Sequence, residues 1–132
     1  MENNIQRKEM LYRAIKRSKP DWLDNGKPTS AMFKDEKGNS VDRGAERTLD
    51  EIVQFMKNGV FSKRLKGIGS INAGECIDIG TRVEAAATMT NPYHANIIIS
   101  KDEFLGNLQA LMLADLCNIV YENPFMHWVC LT

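Results

Sequence analysis

The chain has 132 residues, 43% of them hydrophobic and 26% charged, with a formal net charge of zero. That composition fits one globular domain over residues 1–132, large enough to bury a core without disulfide or metal staples. It lacks the positive excess of a non-specific nucleic-acid binder, a run of the ~20 apolar residues that spans a bilayer, and, in MENNIQRKEM, the apolar core of a secretory signal.

Residues 4–17 (NIQRKEMLYRAIKR) carry two patterns. Met10, Leu11, Ala14 and Ile15 fall at helical spacing, while Leu11, Arg13 and Ile15 alternate as in a strand. A helix over 4–10 is favoured, with either continuation open. Pro20 ends the element, since proline disfavours helical geometry in the residue before it. Residues 20–30 (PDWLDNGKPTS) form a loop punctuated by Asn25-Gly26 and Pro28, with Trp22 and Leu23 as its anchors. Residues 31–43 fit a β-hairpin: AMFK and SVDR flank the charged, glycine-containing DEKGN.

Thr48-Leu49-Asp50-Glu51 is a capping box. Leu49, Ile52, Val53 and Met56 then give one apolar helical face, and Asn58-Gly59 stops a helix over 48–58. Residues 60–67 form a basic connection. Residues 68–79 (IGSINAGECIDI) fit one bent strand or two short ones, and the glycines at 67, 69, 74 and 80 invite a close backbone approach. They match no phosphate-binding glycine motif. Residues 82–89 alternate as a half-buried strand, Asn91-Pro92 breaks it, and residues 94–99 form a central strand through Ile97-Ile98-Ile99. Ser100-x-x-Glu103 opens a helix running to about Tyr121 with a wide apolar stripe that includes Phe104, Leu105, Leu108 and Leu111. Asp115 is the one charged residue within that stripe. The tail FMHWVCLT is too apolar to hang free; it docks on the domain or binds a protein partner or a second copy.

These elements give an α+β fold: a mainly antiparallel sheet of four to six strands with the 48–58 and 101–121 helices packed on it. Cys76, Cys117 and Cys130 are widely spaced and form no C-x-x-C pair, which argues against a disulfide framework or a cysteine zinc site and for reduced thiols in the cytoplasm. The histidines lack metal-ligand spacing, so neither a metal nor a cofactor is expected. Charge is uneven: residues 1–19 hold six Lys/Arg against two Glu, and residues 57–66 hold four Lys/Arg and no acid. Brought together, the two runs would make one basic patch suited to an anionic partner.

His94 is the leading chemical candidate, because it opens a strand after a proline turn and can exchange a proton near neutrality. Ser30, Lys34, Asp42 and Arg43 could share a pocket with it. In that arrangement His94 is the acid/base, Arg43 and Lys34 clamp a phosphate, and Ser30 or Asp42 orients it. Cys76, read as a strand residue, is the candidate nucleophile, with His94 as its base.

Gly26-x-x-Thr29-Ser30-x-x-Phe33-Lys34, then Ser40-Val41-Asp42-Arg43, then Asn91-Pro92-Tyr93-His94-Ala95 resembles a group of short bacterial proteins with no assigned activity. The resemblance covers about residues 11–99. It implies that the hairpin and the His94 turn belong to one unit. Tyr93 stands where that group has a small residue, which implies a differently shaped pocket. Two functions are therefore carried forward. The first is a non-catalytic binding or regulatory module, in a toxin, defence or prophage setting. The second is a small hydrolase or transferase acting on a nucleotide or RNA phosphate through His94.

Overall fold

The computed structural model describes residues 4–59 and 61–124. The tail 125–132, with His127 and Cys130, lies outside them. In chain order the described elements are β1 (Met10–Lys16), β2 (Leu23–Asp24), β3 (Lys27–Pro28), β4 (Asn39–Arg43), α1 (Leu49–Asn58), β5 (Leu65–Asn72), α2 (Ala73–Asp78), β6 (Arg82–Ala85), β7 (His94–Ile98), α3 (Glu103–Leu116) and β8 (Asn118–Glu122). Six strands form one sheet in the order β6-β7-β4-β1-β5-β8, each antiparallel to its neighbour. The fold is α+β. β2 and β3 form a small separate hairpin across Asn25-Gly26, where both residues take the positive φ that a tight two-residue turn requires.

Alternation along the strands sends side chains to two layers. On one face Leu11, Ile15, Val41, Ile71, Ala95 and Ile97 form the main core with α3 and with a 3-10 turn at Ser30–Phe33. On the other face Ala14, Leu65 and Ile68 pack against Ile52, Val53 and Met56 of α1. That helix is capped as its sequence dictates: the Thr48 hydroxyl accepts from the Glu51 amide, and the Glu51 carboxylate accepts from the Thr48 amide.

Several elements differ from the sequence expectation. Residues 4–9 are turn and coil, not the helix favoured over 4–10, and of the two open continuations the strand is formed at Met10–Lys16, with Arg13 an inward-facing member of the Leu11-Arg13-Ile15 row. Residues 31–43 are not a hairpin, since Ser30–Phe33 winds into a 3-10 turn that buries Met32 and Phe33, and only Asn39–Arg43 is extended. Cys76 lies on a helix: the Asn72 side chain caps the Glu75 amide and starts α2. The last long helix begins at Glu103, where Asp102 rather than Ser100 caps it, and ends at Leu116. β8 follows within two residues.

α3 also turns a different face inward. It buries Gly106, Gln109, Ala110, Leu113 and Ala114, and leaves Phe104, Leu105, Leu108, Leu111 and Asp115 exposed. Small residues win the inner face because the helix sits close to its neighbours: a Cβ on Gly106 would stand 2.5 Å from the Ser100 carbonyl oxygen.

Candidate functional site

β1 pairs with β5 along its whole length but with β4 only at Leu11↔Arg43 and Tyr12↔Asp42. Beyond Tyr12 the two strands part. Arg13 bridges the gap: its Nε donates to the Met32 carbonyl at 2.8 Å and its Nη1 to the Ser40 carbonyl at 2.7 Å. The guanidinium lies over the Trp22 ring at 4.6 Å and the Phe33 ring at 5.6 Å. Burial pushes its pKa down to about 10, with Asp35 and Cys117 pulling the other way, so Arg13 is cationic at neutral pH. Opening the ladder here, with a charged side chain in place of strand hydrogen bonds, leaves a cleft of about 550 Å³ between β1 and β4.

The cleft continues over the helix-side face of the sheet, because α1 covers that face only over β1 and β5. The floor of this groove includes Asp42 and His94, which are register partners on adjacent strands and point to the same side. The Asn91 turn fixes both. Asn91 Nδ2 donates to Asp42 Oδ1 at 2.8 Å, and Asn91 Oδ1 accepts from the Tyr93 amide at 2.9 Å. The turn is closed by Thr88, whose amide donates to the Asn91 carbonyl and whose hydroxyl accepts from the Asn91 amide. His94 is half-buried, with Nδ1 against the Ala86 carbonyl at 3.0 Å. A carbonyl can only accept, so Nδ1 carries a proton, and in the neutral ring Nε2 is an acceptor. Among the described residues, no hydrogen bond uses His94 Nε2 or the second oxygen of Asp42. Burial raises the Asp42 pKa; the Asn91 hydrogen bond and the charges of Arg47 and His94 oppose that shift.

A cationic stack stands beside this pair. Arg47 lies 3.5 Å over the Tyr93 ring, and Phe55 meets Tyr93 edge-on at 5.3 Å. Arg47 donates through Nη2 to the Arg43 carbonyl and through Nε to the Gly44 carbonyl, while its buried Nη1 has no acceptor among the described residues. Two consecutive non-glycine residues with positive φ, Ala45 at 49° and Glu46 at 62°, shape the turn that places it.

The other end of the groove is basic. The two positive runs of the sequence meet there: Lys16 pairs with Leu65, and the Arg17 amide donates to the Arg64 carbonyl at 2.9 Å. Lys16 and Lys19 line the cleft with Trp22 and Phe61. Lys16 Nζ and the Arg64 guanidinium each lie 5.9 Å from the Phe61 ring. Burial, then the charges of Arg64, Arg13 and Lys19, lowers the Lys16 pKa.

Of the candidates raised from sequence, the structure brings together Asp42 and His94, with the Tyr93 ring alongside. Arg43 is adjacent in the backbone but sends its side chain to the opposite face. There its Nε and Nη2 grip both oxygens of Glu9 at 2.7 and 2.9 Å, with only 5% and 14% of the two side chains exposed. It is an ion-paired tie to the segment before β1. Ser30 begins the 3-10 turn on the α3 side and Lys34 is exposed at its end, so neither lines the cleft. Cys76 is fully buried, and burial pushes its thiol up to about 12, far from a reactive thiolate.

Lys16, Lys19, Trp22 and Phe61 were not singled out from sequence as site residues. The pair of basic runs signalled Lys16, Lys19 and Phe61, and Trp22 stood out only as a loop anchor. Among the described residues, no three His, Cys, Asp or Glu side chains are grouped to hold a metal ion, and no helix is long and apolar enough to cross a membrane. No family model, curated protein or solved structure matches the chain.

Proposed function

We propose that the protein is a non-catalytic binding module whose groove takes a small polar ligand. The observation that carries this reading is the Asp42–His94 pair: register partners on the floor of a cleft, held by the Asn91 turn, with one Asp42 oxygen and His94 Nε2 in no hydrogen bond among the described residues. A volume of about 550 Å³ suits a small molecule. Cys76 and Cys117 are buried in the main core, and the register partner of Ser40 is Asn96, not His94. The unbridged thiols Cys76 and Cys117 support a reducing, cytoplasmic setting.

Ser40 is exposed and lines the groove, so Ser40→Trp fills it without touching the core. Native mass spectrometry of the purified chain is expected to show a low-mass adduct on the natural protein that Ser40→Trp lacks. Identical adduct patterns on two equally folded proteins would refute the reading.

A second reading, hydrolysis or transfer at a phosphate, is favoured by the position of the His94 ring beside Asp42 in the groove. It loses Arg43 and Lys34 as clamps and would depend on Lys16 and Lys19 instead. In that reading the chain releases phosphate from nucleoside phosphates and His94→Ala abolishes release; in ours neither protein turns them over.

A further inference from the structure

The groove is polarised along its length. β1 runs from Tyr12, the register partner of Asp42, to Lys16, about 13 Å away at the usual rise of a strand. At the Tyr12 end stand two acceptors, the free oxygen of Asp42 and Nε2 of His94. At the Lys16 end stand Lys16 and Lys19, beside the rings of Phe61 and Trp22, with Arg64 adjoining. Among the described residues neither lysine forms an ion pair. Asp35, the other carboxylate lining the cleft, interacts with Arg13. Two lysines close together without an ion pair are stabilised when an anion arrives; burial first, and then the neighbouring cations, lowers the Lys16 pKa.

A ligand matching this surface has an anion at one end and N–H donors at the other. We infer that the groove binds a mononucleotide, with its phosphate at Lys16 and Lys19 and the N–H edge of its base on Asp42 and His94, an inference that rests on the groove being the binding site. Guanine is preferred, because its edge presents two adjacent N–H donors to two acceptors. A single nucleotide fits better than a strand: the cleft has small-molecule size, and a protein of zero net charge lacks the excess that follows a polyphosphate backbone.

Calorimetric titration of the full chain with GMP, guanosine, UMP and a short single-stranded RNA tests this. GMP is expected to bind about tenfold or more tighter than guanosine, the scale of a charge-assisted phosphate contact, and tighter than UMP. Lys16→Ala combined with Lys19→Ala should bring GMP to the level of guanosine and leave guanosine unchanged. Asp42→Asn should weaken both, because an acceptor facing the base is exchanged for a group that also donates. Thermal melts check that each variant is folded.

GMP binding no tighter than guanosine, no nucleotide binding at all, or RNA binding tighter than GMP would each overturn the assignment, the last in favour of a polynucleotide surface. If no nucleotide binds while Ser40→Trp still strips the native adduct, the nucleotide assignment falls and the groove stands as a binding site. If Ser40→Trp strips nothing, the groove itself falls.

Discussion

Asp42 is held in the fold at a cost. Its carboxyl is buried on the groove floor, and burial is the largest influence on its pKa. The folded pKa lies above the ordinary carboxylate value, so between the two the native state holds the proton more firmly than the unfolded chain. Stability therefore falls as pH rises through that window, and above it the buried charge is a standing penalty. Asp42→Asn removes the penalty and can still accept the Asn91 hydrogen bond. It is expected to raise Tm at pH 7 relative to the natural protein and to bring the two melts together at acid pH, below both pKa values. Calorimetric melts across pH check this; a lower Tm for Asp42→Asn at pH 7 would show that the carboxylate stabilises the fold instead. A residue that costs stability and whose side chain, among the described residues, hydrogen-bonds only to Asn91 is what a binding surface retains. Arg43, one residue on, is the contrast: both its ends are engaged within the protein, and nothing of its chemistry faces outward.

Elements were legible where their signals are local. The 48–58 helix follows from its capping box, its apolar stripe and Asn58-Gly59, none of which depends on distant residues. α2 has a comparable local signal, Asn72 followed three residues later by Glu75, but it is hidden among glycines that suggest a strand. β1 was obscured by Arg13, a cation in an inward row, which makes sense only once the parting of β1 and β4 is known. The exposed stripe of α3 misled because apolar periodicity does not say which side packs; close approach at Gly106 decided in favour of the small residues. The contrast is measurable. Gly69→Ala places a Cβ 2.5 Å from Cys117 Sγ and 3.1 Å from Met32 Cε, an overpacking expected to cost about 1–3 kcal/mol. Phe104→Gln, at a side chain 79% exposed, is expected to change stability by less than about 0.5 kcal/mol. Denaturant titrations of the two variants distinguish this packing from one in which Phe104 faces the core.

At the scale of the whole molecule, one sheet separates two environments. The α3 side is a closed apolar core with Cys76, Cys117 and the buried Met32 and Phe33. The α1 side is covered over half its width, and the uncovered half is polar. The Asn91–His94 turn and the Ser40–Arg43 segment are visible as motifs in the sequence. Their juxtaposition depends on the β4–β7 register, a long-range pairing that no local pattern encodes, and on strand alternation that sends Asp42 one way and Arg43 the other. The basic end of the groove was equally hidden, since residues 16–19 and 63–66 meet only through the β1–β5 ladder.

Chemical-shift mapping of the isotopically labelled chain with a mixture of small polar fragments reports where the surface binds, whichever ligand is natural. Perturbations are predicted to concentrate on Tyr12–Lys16, Ser40–Asp42 and Thr88–His94, around the groove. Perturbations confined to the outer face of α3 at Phe104, Leu108 and Leu111, with the groove silent, would contradict the account.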